Sequence, residues 1–214
     1  MTLLGCPTPL IHSTLSEWNW LQRCVIPVIH EVTLRFFLGD LIVGSRLYFL
    51  KSLNPTVQQC VRRSCVAIET VEHCFFSCPA LDEVWTTMWR PWSQVFIAKL
   101  DWWLLLFPKP RDLRANWRRH QKEVLLWRVH TSIAFHGIWR LRNDIYFHET
   151  DANKPNTQSV KATFGRHCQL IFRHSTELGF GKHAVCVTLR RLGFEEPCEE
   201  IIPPSPRRIW IPRQ

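Results

Sequence analysis

The sequence predicts a mainly α protein, a small irregular helical domain with a disordered Pro-rich C-terminal tail. Three observations carry this. Apolar residues recur at steps of three and four along most of the chain, which is the period of a helix and not of a strand. Three cysteines and one histidine, Cys60, Cys65, His73 and Cys78, fall within nineteen residues, a cluster able to organise a fold around one metal. Five prolines and two Glu-Glu pairs occupy the last twenty residues, a composition that does not build a core.

Taken in order, residues 16–59 form a helical lead-in. Val32, Phe36, Leu41 and Leu47, with neighbours three or four away, follow the helix period, and Pro27 suits a first helical turn because its missing N–H is not needed there. Two helices are expected, joined near Gly39 or Gly44. Asn54-Pro55 breaks the pattern and delivers the chain to the segment 60–78, which places Cys60 and Cys65 in a loop or short hairpin and His73 and Cys78 at a helix start.

Residues 79–150 read as a helical region with a basic face. Leu81, Val84, Trp85 and Met88 follow i, i+3, i+4, i+7, a helix ended or kinked by Pro91, with a further helix expected from Trp92. Beyond Pro108-Lys109-Pro110, the residues Val124, Trp127, Ala134, Ile138, Leu141 and Ile145 share one stripe, in one long helix or two across 112–148. Asp151 to Thr157 is polar and reads as a linker. Residues 160–194 are moderately apolar with weak periodicity, so the segment 151–194 receives no fold, 195–214 is the tail, and there is no internal repeat.

Composition bounds the function. With 214 residues and 46% of them hydrophobic, the chain can bury a core of one domain plus a tail. Thirteen Phe and eleven Trp favour helices packed through large rings, or surfaces that await a partner. Lys plus Arg exceeds Asp plus Glu by 27 − 18 = 9, so an anionic partner fits. The nine cysteines are odd in number and unevenly spaced, which argues against a disulfide framework and for a reducing, intracellular setting, nuclear or cytoplasmic, not a secreted one. Leu3-Leu4-Gly5-Cys6 lies too near Met1 to follow a charged and an apolar leader region. The richest apolar stretch, Trp102 to Phe107, is far below the ~20 residues that cross a bilayer, so no membrane partner is expected. No small-molecule substrate is indicated, and nothing speaks to oligomeric state.

The spacing of the cluster is C-x4-C-x7-H-x4-C. Thiolates and a neutral imidazole are the donors that bind Zn²⁺ tetrahedrally, and two ligand pairs separated by seven residues leave room for the chain to reverse. Free cysteine is also a small buried hydrophobe, so spacing alone leaves both readings open. Cys74 adjoins His73, and adjacent residues rarely reach one metal together, so it is left out of the ligand set. His167 with Cys168 and His183 with Cys186 match no metal module and read as surface His and buried Cys.

The letters around the cluster carry more. The run Cys60-x4-Cys65, Glu69-Thr70-x2-His73, Phe75-Phe76-x-Cys78-Pro79, then Val84-Trp85, resembles the zinc-binding domain that lies C-terminal to the polymerase in reverse transcriptases of non-LTR retrotransposons. Ile138-Trp139-Arg140-Leu141-Arg142-Asn143 through Phe147 is similar to that family's downstream Trp, Arg-Asn and Phe helix, and Pro27 with the Phe36 to Leu47 segment to its aromatic lead. The resemblance covers roughly residues 18–148, with Glu69-Thr70-x2-His73 its most specific part. It departs at the first knuckle, where the family's usual C-x2-C is C-x4-C with Arg62 and Arg63 inside, and at Val43-Gly44, where the family often has Pro-Thr. The resemblance implies one structural zinc on Cys60, Cys65, His73 and Cys78, and a nucleic-acid-binding portion of a reverse transcriptase polyprotein without its polymerase. A zinc-stapled protein interaction scaffold and a degenerate retroelement copy are the alternatives.

Zinc with three thiolates and a neutral imidazole carries net −1, and Arg62 and Arg63 are offset by Glu69 and Glu72, so the knuckle itself does not attract phosphate. Positive charge gathers between Arg111 and Arg142, where eight Arg or Lys face two acids. Arg111, Arg114, Arg118, Arg119 and Lys122 fall on steps of three and four and are expected to line one helical face, as an RNA or DNA contact or as a solvated face. Trp117, Trp127 and Trp139, interleaved with that charge, are expected in the core. No Asp-Asp pair exists for two-metal polymerase chemistry, the acids cluster in the tail at Glu195-Glu196 and Glu199-Glu200, and no oriented base accompanies Cys74 or Cys168, so no catalysis is expected.

Overall fold

The computed structural model describes residues 19–63, 65–118, 121–148, 154–179 and 181–194. The predicted tail, Arg119 and the first three residues of the predicted linker lie outside them. The molecule is mostly helical, with no strand among the described residues.

After a helical stretch at 19–24, helix α1 (Pro27–Leu38) starts with Pro27 in its first turn, as its sequence dictates. It stops because Gly39 takes the left-handed conformation at φ 73°, which lets the Gly39 N–H reach the Phe36 carbonyl at 3.1 Å and the Asp40 N–H the Arg35 carbonyl at 2.8 Å. The second lead-in helix is not α. Gly44–Leu50 is a 3₁₀ run with Leu47 off the helical region. Gly44 is pressed against the backbone of the next segment, where a Cβ would lie 3.0 Å from the carbonyl oxygens of both Val57 and Gln58, and that close approach excludes a side chain.

A π turn (His73–Ser77) and a 3₁₀ turn (Pro79–Leu81) lead into helix α2 (Asp82–Trp92), with Asp82 and Glu83 at its positive end. Its inner face is Val84, Trp85, Met88 and Trp92, and Pro91 sits in its last turn, one residue before the end. No helix starts at Trp92. Instead Phe96 bridges to Leu113, with the Ile97 N–H on the Asp112 carbonyl at 2.8 Å, and the next helix, α3 (Trp102–Leu106), is capped by the Asp101 carboxylate accepting from the Leu104 N–H at 2.7 Å.

The long pattern is one helix, α4 (Gln121–His148), which begins well after residue 112. Residues 110–117 are two 3₁₀ turns, Pro110–Asp112 and Ala115–Trp117, separated by Leu113 and Arg114 in extended conformation. The segment left without a fold from sequence contains two helices. Helix α5 (Thr157–Arg173) is capped by Asn156 accepting from the Ser159 N–H at 3.0 Å, and helix α6 (Lys182–Arg191) packs on it. The inward face of α5 is Val160, Phe164, Cys168, Ile171 and Phe172 at helical steps, and His167, expected at the surface, is buried beside them, its Nε2 accepting from the Ile26 N–H at 3.4 Å.

Helix α1 and the pair α5 and α6 pack on α4, and α2 packs on α5. Rings fill the space between them. Phe36 of α1 lies 5.2 Å from Phe75 of the π turn, 4.8 Å from Phe135 of α4 and 5.8 Å from Trp102 of α3, so one fully buried ring joins its helix to three other elements. A second group joins Trp92, Phe96 and Trp127, with centroids 5.3 to 6.4 Å apart. Trp117 and Trp127 are in the core, as expected, and Trp139 is packed against it. Each such buried ring contributes ~1.5–3 kcal/mol by transfer from water. Among the described residues no helix is long and apolar enough to cross a membrane.

Candidate metal centre

Short-range backbone bonds set up the first ligand pair. Gln59 and Ile68 form an isolated antiparallel bridge, the Cys60 N–H donates to the Ala67 carbonyl at 2.9 Å, and the Glu69 N–H donates to the Gln58 carbonyl at 2.8 Å. This is the short hairpin expected from the sequence. Within it, the Cys65 N–H reaches the Arg62 carbonyl at 3.2 Å and closes the longer knuckle.

The second pair depends on Thr70 and on the π turn. The Thr70 hydroxyl accepts from the His73 N–H at 3.0 Å, a side-chain cap that starts the turn and fixes His73 three residues on. His73 and Cys78 are five positions apart, which in an α-helix points side chains about 140° away from each other. The wider i→i+5 turn over His73–Ser77 returns both to one side. The Trp85 indole N–H donates to the Phe75 carbonyl at 3.1 Å and so satisfies a backbone group inside that turn.

The result is one cluster. The donor atoms of Cys60, Cys65, His73 and Cys78 all lie within 4.8 Å of one another, with Cys60 Sγ and Cys78 Sγ 3.9 Å apart and Cys65 Sγ and His73 Nε2 3.2 Å apart. Three sulfurs and one imidazole at that separation could hold a metal ion, and it is the one such group among the described residues. Cys60 and Cys78 are within hydrogen-bond distance, and that contact lowers the Cys78 pKa to about 5, against burial and with help from the Ala80 N–H and Arg62, while it raises that of Cys60. Cys74 stands apart, fully buried, its thiol pushed up to about 12 by burial and by Glu69, and it behaves as a core residue.

Arg62 is 1% exposed. Its guanidinium donates to the Cys74 carbonyl at 3.0 Å and lies 4.0 Å from Cys60 Sγ. Burial alone would lower its pKa, but the sulfurs of Cys74, Cys78 and Cys60 outweigh that and hold it raised, so the cation persists beside the cluster. The offset of Arg62 by Glu69 expected from sequence is therefore replaced. Glu69, 0% exposed, accepts from Arg142 Nη2 at 2.9 Å and from Arg142 Nε at 3.3 Å, and its Oε2 also takes the Gly44 N–H at 2.8 Å. Arg142 in turn lies over Trp139 at 5.3 Å and Tyr146 at 4.8 Å. One carboxylate thus fastens the lead-in, the knuckle and α4 together.

The basic residues separate accordingly. Arg142 is buried and leaves the surface set. Arg111, Arg114 and Arg118 are exposed, but on turns and extended backbone and not on one helical face. Arg111 lies 4.0 Å from Asp112, Arg114 bonds the Ser93 carbonyl at 3.4 Å, and Arg118 bonds the Leu113 carbonyl at 3.3 Å. Arg119 is outside the described residues, and of Lys122 only the helical backbone is described. The sequence reading missed Arg191. Its guanidinium lies over the Trp117 ring at 5.6 Å, and its carbonyl accepts from Gln94, the neighbour of Ser93 that Arg114 engages. No spacing signal connects residues so far apart in the chain. No family model matches the chain, and no curated protein or solved structure matches it either.

Proposed function

We propose that Cys60, Cys65, His73 and Cys78 bind one Zn²⁺ as a structural staple, and that the surface of Arg111, Arg114, Arg118 and Arg191 binds RNA or DNA. The module is of the reverse transcriptase zinc-binding type and non-catalytic, working inside the cell. The observation that carries the zinc half is the donor set and its spacing. A tetrahedral zinc with bonds of about 2.3 Å to sulfur separates two sulfurs by about 3.8 Å, against 3.9 Å between Cys60 and Cys78. Arg62 supports it further, because a site of three thiolates, one neutral imidazole and Zn²⁺ is a net anion that a buried guanidinium neutralises.

The resemblance gains support from what its letters do. Thr70 caps the ligand turn, Glu69 ties the knuckle to Arg142, Phe75 is core, and Trp85 holds the Phe75 carbonyl. For nucleic acid the support is the set of exposed guanidinium groups gathered from two parts of the chain at Ser93-Gln94 and Trp117. One experiment tests both halves. Protein purified without chelator should hold about one zinc per chain, and its affinity for a labelled single-stranded RNA or a DNA duplex should fall steeply between low and moderate salt. Arg114→Ala with Arg118→Ala and Arg191→Ala should weaken binding for all sequences and flatten that salt slope by about two units or more. Zinc near zero sinks the first half. Affinity indifferent to both salt and the triple variant sinks the second.

A second reading, the interaction scaffold, is favoured by one observation. Tyr48, Phe49, Leu53 and Val66 expose large apolar side chains near the knuckle, 64% to 84% open to solvent. Salt-independent binding to a protein partner that is lost on Phe49→Ser with Leu53→Ser would favour that reading.

A further inference from the structure

A cleft of about 280 Å³ opens between the C-terminal half of α2, the first turns of α5 and the chain that follows α6. A cavity of about 150 Å³ holds a benzene ring, so this one has room for a bicyclic aromatic group. Its floor is apolar, with Val84, Met88, Val160 and Leu192 all buried, and it holds one polar side chain, His130 of α4, which is 3% exposed. Arg90 and Lys161 line the same cleft and are exposed at its rim, and among the described residues neither forms an ion pair.

His130 is the observation that points to a ligand. Its Nδ1 accepts from the Trp92 indole N–H at 3.1 Å, and its ring stacks on Phe164 at 4.0 Å, so position and tautomer are fixed from two sides. Nδ1 as acceptor leaves the proton on Nε2. Nε2–H makes no hydrogen bond among the described residues, and because His130 lines the cleft this donor is open to what fills it. Burial holds the ring neutral, its pKa lowered to about 3, so it offers one hydrogen bond and no charge. Glu83, the nearby acid on α2, is engaged by Lys154 at 3.9 Å, which leaves the rim positive.

We infer that this cleft binds a small aromatic carboxylate, its rings among Val84, Met88, Val160 and Leu192, its carboxylate met by Arg90 and Lys161, and an acceptor on its buried end met by His130 Nε2–H. The site is independent of the zinc and nucleic-acid reading, and it adds a small ligand where the sequence indicated none.

The test is calorimetric titration of the full chain with hydroxynaphthoate and with the matching neutral alcohol. The acid should bind one to one with a dissociation constant below about 1 mM, about tenfold tighter than the alcohol. Arg90→Gln with Lys161→Gln, both at exposed positions, should remove that preference. Thr87→Trp, which fills the mouth from an exposed position, should abolish binding of both while leaving the melting temperature unchanged. The His130 Nε2–H resonance should shift on addition of the acid. Absence of saturation, equal affinity for acid and alcohol, or undiminished binding in a folded Thr87→Trp variant would overturn the inference.

Discussion

Two arginines at the knuckle, Arg62 and Arg142, are buried against acceptors: Arg62 lies against the sulfur cluster and the Cys74 carbonyl, and Arg142 against both oxygens of Glu69. Along residues 111–118 the same side chain is exposed and engages single carbonyls at 3.3 to 3.4 Å or a half-exposed acid at 4.0 Å. The difference follows from solvation. A buried cation without a matched anion is costly by several kcal/mol, whereas an exposed one is held by water and its contacts are worth little. Arginine therefore fixes the fold in the first region and remains available to a partner in the second.

The sharpest way to break that contrast is to remove the anion that Arg62 serves. In Cys78→Ser the cluster loses one thiolate, and structural zinc sites of this kind contribute folding energy outright. Zinc content should fall well below one per chain, the near-ultraviolet signal of the Phe75 and Trp85 surroundings should collapse, and urea unfolding should lose several kcal/mol. A variant with full zinc and unchanged unfolding would show that the knuckle is not what holds its region together.

Next in size is the Glu69 and Arg142 pair. Arg142→Met leaves a carboxylate buried without its cation, and the expected loss is ~3–5 kcal/mol. Adding Glu69→Gln should return much of it, because a neutral amide can still accept the Gly44 N–H. Urea titration of both variants decides this, and a double variant as unstable as Arg142→Met alone would count against a charge-based account.

This pair also marks how far the sequence could be read. The four cluster residues were legible because their donor chemistry has a local spacing, and so was the helix break at Gly39. Arg142 was not, since its partner is 73 residues away and an arginine among arginines reads as surface charge. Residues 111–118 misled for a geometric reason: steps of three and four fit 3₁₀ turns joined by extended residues as well as they fit a helix. The apolar faces of α5 (Val160, Phe164, Cys168, Ile171 and Phe172) and of α6 (Val185 and Leu189) are regular but narrow, and the polar residues around them leave the segment only moderately apolar, which masks the period.

Acid offers a subtler probe. His130 has its pKa lowered by burial to about 3 in the folded protein, and His30, His136 and His167 are lowered in the same direction. An unfolded histidine protonates near pH 6.5, so between there and about 3 the unfolded state binds more protons, and stability falls as pH falls. His130 alone contributes a slope approaching ~1.4 kcal/mol per pH unit. Protonation of the cluster thiolates acts in the same sense, but His130→Gln separates the two, since an amide keeps an acceptor for the Trp92 N–H and does not titrate. The variant should show a shallower decline of unfolding free energy between pH 6 and 4 with zinc content unchanged. An identical slope would assign the acid sensitivity to the other groups.

The smallest effect is expected where the contrast began. Arg111→Ala and Arg114→Ala each remove a guanidinium that water already solvates, and each should change unfolding free energy by no more than ~0.5 kcal/mol. Arg114 is the stricter case, because its two bonds to the Ser93 carbonyl span the bridge between Phe96 and Leu113. That bridge has its own backbone bond, from the Arg114 N–H to the Val95 carbonyl at 2.9 Å, which alanine retains. If Arg114→Ala nevertheless cost as much as Arg142→Met, its guanidinium would be part of the fold, and the surface proposed for nucleic acid would shrink to Arg111, Arg118 and Arg191.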